Sequence, residues 1–198
     1  MNYPEHLEAF LQCLHSGDRR RCFDRVREWE EQGIPNEDLY SDILIPALVR
    51  FGEDWERNEQ GVVEEHVATQ IVRHILAHKA VTLVPRRTRN HSAMVGCVPD
   101  EQHDLASLIM ANVLEEDGWR VFHYGTSVPK YDLLQALRRR QPDLLCLTTK
   151  SISGLDGTLR LLSELRAELP EMKIMLGGGL TPHLRALLSP HVDVIADT

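Results

Sequence analysis

The segment Pro99-Asp100-Glu101-Gln102-His103-Asp104 places an imidazole among carboxylates. Imidazole binds cobalt or iron through one ring nitrogen, while the other nitrogen needs an oriented acceptor. Glu101 and Asp104 are both near enough along the chain to be that acceptor. Two further segments can contribute to the same chemistry. Leu147-Thr148-Thr149-Lys150-Ser151 offers hydroxyls, and Leu176-Gly177-Gly178-Gly179 offers backbone that a flat or bulky ligand can approach. Each also has a plainer reading when taken alone. His103 would then be an exposed histidine near a helix start, and the glycines a tight turn.

These segments share a site only if the fold brings them together, and the pattern of the second half does so. Apolar runs at 93–98, 120–124, 144–148, 174–176 and 192–195 are short enough for buried strands. Helical patterns at about 102–117, 130–140, 157–169 and 181–188 lie between them. Strands alternating with helices predict an α/β domain, a flavodoxin- or Rossmann-like parallel sheet of five strands. Ligands bind such sheets at the carboxyl ends of the strands, where the strand order reverses. The loops after Val98, Tyr124, Thr149 and Leu176 are therefore the candidate site, with Thr126 and Ser127 in the second of them.

Residues 4–80 carry a different period. Leu7, Phe10, Leu11 and Leu14 recur at helical spacing, and Ser16-Gly17-Asp18 breaks the pattern before a second helix that stops at Gly33. A third helix carries Leu39, Ile43, Leu44, Leu48 and Phe51, with Pro46 predicting a kink inside it. A fourth starts near Gly61 and repeats Val63, His66, Val67, Gln70, Ile71, His74 and Ile75 on one side. Together these predict a four-helix bundle. The stretch 85–92 has no period and reads as a linker, so the expected domains are 1–84 and 93–198.

Composition excludes several classes. With 42% hydrophobic and 26% charged residues the chain is an ordinary globular protein. It contains no run of about 18 apolar residues for a membrane span. The segment Met1–His6 has no basic start or apolar stretch, so a signal peptide is not expected and a cytoplasmic location is. The formal net charge of −8 argues against direct nucleic-acid binding. Arg19–Arg21 and Arg138–Arg140 read as solvated helix faces. Cys13, Cys22, Cys97 and Cys146 show no metal spacing, and the last two sit in strand-like runs as core residues.

Taken together, Glu101 with His103, the hydroxyls of Thr148–Ser151 and the turn Gly177–Gly179 resemble the cobalamin-binding domain of methionine synthase and its relatives. The resemblance implies that His103 is the lower ligand of cobalt, replacing the cofactor's own dimethylbenzimidazole. It also implies cofactor contacts from Glu101, Gln102, Asp104, Thr126, Ser127, Thr148, Thr149, Ser151, Gly177, Gly178 and Gly179. The family pattern has glycine three residues after the histidine, where this chain has Ala106. In the first half, Trp55 is followed after nine residues by Glu65-His66. That spacing resembles the helical domain of adenosylcobalamin-dependent photoreceptors of the CarH kind, and stand-alone antirepressors of the AerR type. Trp55 would then pack over the upper face of the corrin, with Glu65 and His66 offering an acceptor and a donor to the adenosyl group. The photoreceptors carry histidine directly after the tryptophan, where this chain has Glu56. They also carry an N-terminal winged-helix DNA-binding domain, for which no counterpart is expected here.

The resemblance implies a non-enzymatic light or cobalamin sensor, read by a transcription regulator or by a second copy of the chain. The alternatives are a corrinoid carrier of a methyltransferase system, or a sensor of another tetrapyrrole. Haem or a bilin would be served by His66, His74, His78 and His123.

Overall fold

A computed structural model describes residues 3–57, 61–150 and 155–196 and divides the chain into two compact units, 1–82 and 83–198. No helix among the described residues is long and apolar enough to cross a membrane.

The first unit is helical. Helix α1 (Pro4–His15) begins on a proline, and α2 (Arg19–Glu31) is capped by Asp18, whose carboxylate accepts from Arg21 N at 3.1 Å. A single turn α3 (Asn36–Asp38) runs into a π-helical turn (Leu39–Leu44) and then into α4 (Ile45–Glu56). The expected irregularity at Pro46 therefore appears as a wide turn just ahead of it. The Pro46 ring cannot sit against the carbonyl of Asp42 and has no N–H to give, so the preceding turn opens to the longer hydrogen-bond step. The last helix, α5 (Val62–Thr82), completes the bundle. Phe10, Leu14, Leu39, Ile43, Leu44, Phe51, Ile75 and Leu76 form its buried core.

Lys79 on α5 is also buried, at 5% exposure. It is ion-paired with Glu30 of α2, and its Nζ lies 5.9 Å from the centre of the Tyr40 ring. A buried ammonium is tolerated only with such partners.

The second unit alternates β1 (Ser92–Cys97), α6 (Leu105–Glu116), β2 (Arg120–Gly125), α7 (Lys130–Arg140), β3 (Leu144–Thr148), α8 (Leu155–Glu168), β4 (Lys173–Gly177), α9 (Pro182–Leu188) and β5 (Val194–Ile195). All pairings are parallel, in the order β2-β1-β3-β4-β5. Alternation along the strands sorts the side chains by face. Ala93, Val95 and Cys146 pack with Ala111 of α6. Met94, Leu145, Leu147, Ile174 and Leu176 pack with leucines of α7, α8 and α9 on the other face. The chain leaves β1 toward β2 on one side and returns to β3 on the other, so the crevice opens over the ends of β1 and β3.

The stretch 85–92 is not a free linker. Ser92 already belongs to β1, and the residues before it are fastened along the end of α6. Arg86 N donates to Glu116 O at 2.8 Å, and Arg89 N to Gly118 O at 3.0 Å. Arg86 pairs with Glu116 at 3.0 Å, Arg89 pairs with Asp117 at 2.7 Å, and Arg87 also pairs with Asp117. A Cβ at Gly118 would stand 1.9 Å from the Arg87 carbonyl oxygen, and its φ of +88° suits glycine. The stretch reads as a break because it has no period; long-range acids make its arginines a strap.

Candidate functional site

The loop after β1 turns sharply at Asp100, which takes φ +66°. Asparagine and aspartate tolerate that left-handed region better than other non-glycine residues. The turn drops the Glu101 side chain inward, at 3% exposure, and leaves His103 on the surface. Glu101 Oε1 accepts from Gln102 N at 2.9 Å, from His103 N at 2.9 Å and from His103 Nδ1 at 2.6 Å. Its other oxygen accepts from Lys150 N at 2.7 Å and from Thr149 Oγ1 at 3.3 Å. A carboxylate can accept all of these, whereas a protonated carboxyl would turn its own hydrogen toward a donor. Nδ1 of His103 is therefore the donor and carries the ring proton. Nε2 faces outward, on a side chain 64% exposed, and in the neutral ring it is the nitrogen with the lone pair.

An imidazole oriented in this way by a buried carboxylate could hold a first-row transition metal such as cobalt or iron through its outer nitrogen. The same contact settles which acid acts: Glu101 orients the imidazole, while Asp104 stands at the start of α6, its side chain not capping the helix.

The hydroxyl loop and the glycine turn meet this cluster, though not every residue in the expected way. Thr149 reaches Glu101, and its backbone N donates to Gly177 O at 3.1 Å. Thr148 faces inward, its Oγ1 3.5 Å from Cys97 Sγ, and so braces the end of β1 rather than the crevice. Gly178 takes φ +106°, and a Cβ there would lie 2.2 Å from Thr149 O, so the turn itself requires it. At Gly177 an added Cβ would press on Met110 Cε at 3.3 Å, and at Gly179 it would meet only Lys150 Cγ at 3.7 Å. On the other flank Gln102 Nε2 donates to Ser127 Oγ at 3.1 Å, tying the β1 and β2 loops, with Thr126 half-buried beside it. Ser151 and the side chain of Glu56 lie outside the described residues.

Several supporting residues had no local signal. Gly96 lies under the Tyr124 ring, which a Cβ would approach to 2.2 Å. The Tyr124 hydroxyl donates to Cys97 O at 3.3 Å, and the β1–β2 register slips there, with Val95 opposite His123 but Gly96 opposite Gly125. Burial pushes the Cys146 thiol up to about 12 and the Cys97 thiol above its ordinary value, as expected of core cysteines. Strand alternation indicates such burial, but the bulge and the ring-on-glycine contact depend on which strands pair.

The remaining candidates belong to the first unit. Trp55, near the end of α4, is 43% exposed, a large aromatic surface left to solvent. On α5, Glu65 accepts from Thr69 Oγ1 at 2.9 Å and lies 2.8 Å from His66 Nδ1, while the His66 side chain is 73% exposed. A groove of about 560 Å³ runs past Val63, His66, Val67, Gln70 and His74. The stripe expected along this helix is thus partly open surface, while Ile71 and Ile75 turn into the core. His78 packs edge-on against Phe23, with ring centres 5.9 Å apart.

Comparison with known proteins gives concordant matches. A family model described as a B12 binding domain matches residues 91–198, and a second model of the same description matches residues 6–79. The HTH-type transcriptional repressor CarH of Myxococcus xanthus is 29% identical over 86% of this chain. The chain spans 56% of that repressor's length. Among solved structures, the monomethylamine corrinoid protein of Methanosarcina barkeri superposes with a TM-score of 0.83 at 15% identity, covering 98% of this chain and 93% of that one. A cobalamin-binding protein of Desulfitobacterium hafniense gives 0.50 at 18% identity, covering 97% and 92%. At those identities the structures speak to the fold alone. Both family models and both solved structures are named for B12, cobalamin or a corrinoid, and none for haem or a bilin.

Proposed function

Because the chain belongs to the B12-binding domain family, we propose that it is a non-enzymatic sensor of adenosylcobalamin and of light. The observation that carries this reading is the His103–Glu101 pair, an exposed imidazole whose inner nitrogen is committed to a buried carboxylate. Such an imidazole is preset as the lower ligand of cobalt. When bound, adenosylcobalamin supplies a cobalt–carbon bond that visible light breaks.

The rest of the assignment falls to this chain's own side chains. Trp55 offers an exposed indole to the adenosyl group, and the adjacent Glu65 and His66 offer an acceptor and a donor to its polar edges. Thr126, Ser127, Thr149, Ser151 and the Gly177–Gly179 turn receive the corrin and its nucleotide tail. Loss of the adenosyl group changes the ligand's differential affinity for two conformations of the protein, which is what a ligand-driven switch requires. The likeness to a transcriptional repressor supports a regulatory output. That output passes to a protein partner, a transcription regulator or a second copy, rather than directly to nucleic acid.

The test is an absorption spectrum of the full chain with adenosylcobalamin, before and after green light, for wild type and His103→Ala, with sedimentation of each state. Wild type should bind with the imidazole on cobalt and change its assembly or its partner binding on illumination. The variant should lose that coordination. A chain that stays colourless after desalting ends the cobalamin reading. A holoprotein with identical hydrodynamics and partner binding in dark and light ends the sensor reading, and methyl transfer to an added thiol with a methyltransferase would put a corrinoid carrier in its place.

A further inference from the structure

We propose that His123 is a positioning residue for the cobalt ligand, acting through Ser107; the proposal rests on His103 being that ligand. Ser107 lies in the first turn of α6, four residues after His103, and is fully buried. Its Oγ is 2.7 Å from the Asp104 carbonyl oxygen and 2.9 Å from His123 Nε2. A hydroxyl has one hydrogen and a carbonyl can only accept. The Ser107 hydrogen is therefore spent on Asp104 O, and His123 must donate from Nε2.

The two histidines are thus in opposite tautomers. His103 carries its proton on Nδ1 and bares Nε2, while His123 carries its proton on Nε2.

Strand alternation explains how His123 reaches this position. Val121 packs on the α6 face of the sheet, and His123, two residues further along β2, falls on the same face. The register slip comes only after it, at Tyr124. The neighbouring carbonyl is held as well, since Cys97 Sγ lies 3.7 Å from His103 O. The backbone on the C-terminal side of the ligand is therefore fastened to β1 through Cys97 and to β2 through His123. Glu101 fixes the ring's rotation, and the His123–Ser107 pair fixes the height of the first turn of α6, onto which the loop carrying the ring leads. Side chains behind a metal ligand typically change metal affinity by about 10- to 100-fold, and one acting a step further back belongs at the lower end.

The experiment uses the full chain as wild type, His123→Ala, His123→Gln and Ser107→Ala. Nitrogen NMR of the free protein should find neutral His123 protonated on Nε2. Leu108, whose amide donates to Asp104 O at 3.0 Å, should exchange its hydrogen about tenfold faster in His123→Ala. With saturating adenosylcobalamin in darkness, His123→Ala and Ser107→Ala should take up the corrin, with the ratio of imidazole-bound to imidazole-free spectrum reduced about tenfold. His123→Gln keeps an N–H donor and should restore that ratio, which general loosening of the sheet would not do. An Nδ1-protonated His123, or a wild-type spectrum in His123→Ala, overturns the proposal and leaves the cobalamin reading standing. A wild type that takes up no corrin overturns both.

Discussion

A single carboxylate carries most of the burden at the scale of residues. Glu101 is buried and accepts from backbone and side-chain donors of two loops, so removing its charge disturbs both at once. Glu101→Gln keeps the shape but turns an amide N–H₂ toward at least one of them. Breaking a buried, charged hydrogen-bond cluster in this way costs about 2–4 kcal/mol. The expected outcome is a lowered melting temperature for the second unit, together with corrin affinity about 10- to 100-fold weaker. Calorimetry and titration check the two halves separately. A variant that binds as tightly as wild type would show that Glu101 supports the loop but not the ligand. The sequence brought this residue into view by its two-residue distance from His103. It left Glu101 and Asp104 as equal choices, because only the left-handed turn at Asp100 decides which side chain faces inward.

Elements were legible where their periods were long and clean. All five strands and the four helices of the second unit fall within a few residues of their expected places, since buried parallel strands and amphipathic helices announce themselves by pattern. Two features were not legible, each set by partners far along the chain: the slip at Tyr124 answers to the pairing of β1 with β2, and the arginine strap to acids about thirty residues away. The irregularity at Pro46 was legible from the proline, though its form as a π-helical turn was not. Of the two readings open for the glycine turn, a ligand approach and a tight turn, the backbone accounts for one residue by the second. The middle residue of the turn is demanded by the backbone of the β3 loop, not only by space for a ligand. Gly178→Ala should therefore destabilise the second unit by about 2 kcal/mol or more, through strain at positive φ and the clash with Thr149 O. Gly179→Ala should be close to neutral for folding, as only ordinary contact awaits its Cβ. Chemical denaturation of the pair tests this, and equal losses would contradict it.

At the scale of the molecule, each unit has its own charged anchor. In the first, the buried Lys79 reaches Glu30 at the bundle surface. In the second, Arg166, Lys173 and the Ile174 amide gather around Asp193 and join α8 to β4 and the approach to β5. The Arg166 guanidinium and the Ile174 amide hold the Asp193 carboxyl well below the usual carboxylate range. A carboxyl whose folded value is depressed adds stability that is fully present above its unfolded value, near about 4. That stability drains away as pH falls from there toward the folded value. The second unit should therefore lose stability between about pH 4 and pH 2 more steeply in wild type than in Asp193→Asn, which starts about 1 kcal/mol lower at neutral pH. Urea midpoints across that range, read from a second-unit probe such as Trp119, measure the difference. Parallel curves for the two proteins would remove Asp193 from the account.

The sharing of Glu101 between the β1 and β3 loops also bears on how such a chain can change over generations. The imidazole at 103 and the hydroxyl at 149 meet on opposite oxygens of one carboxylate. A change at 101 therefore reaches both loops at once, while a change at 103 or 149 leaves the backbone donors of the cluster in place.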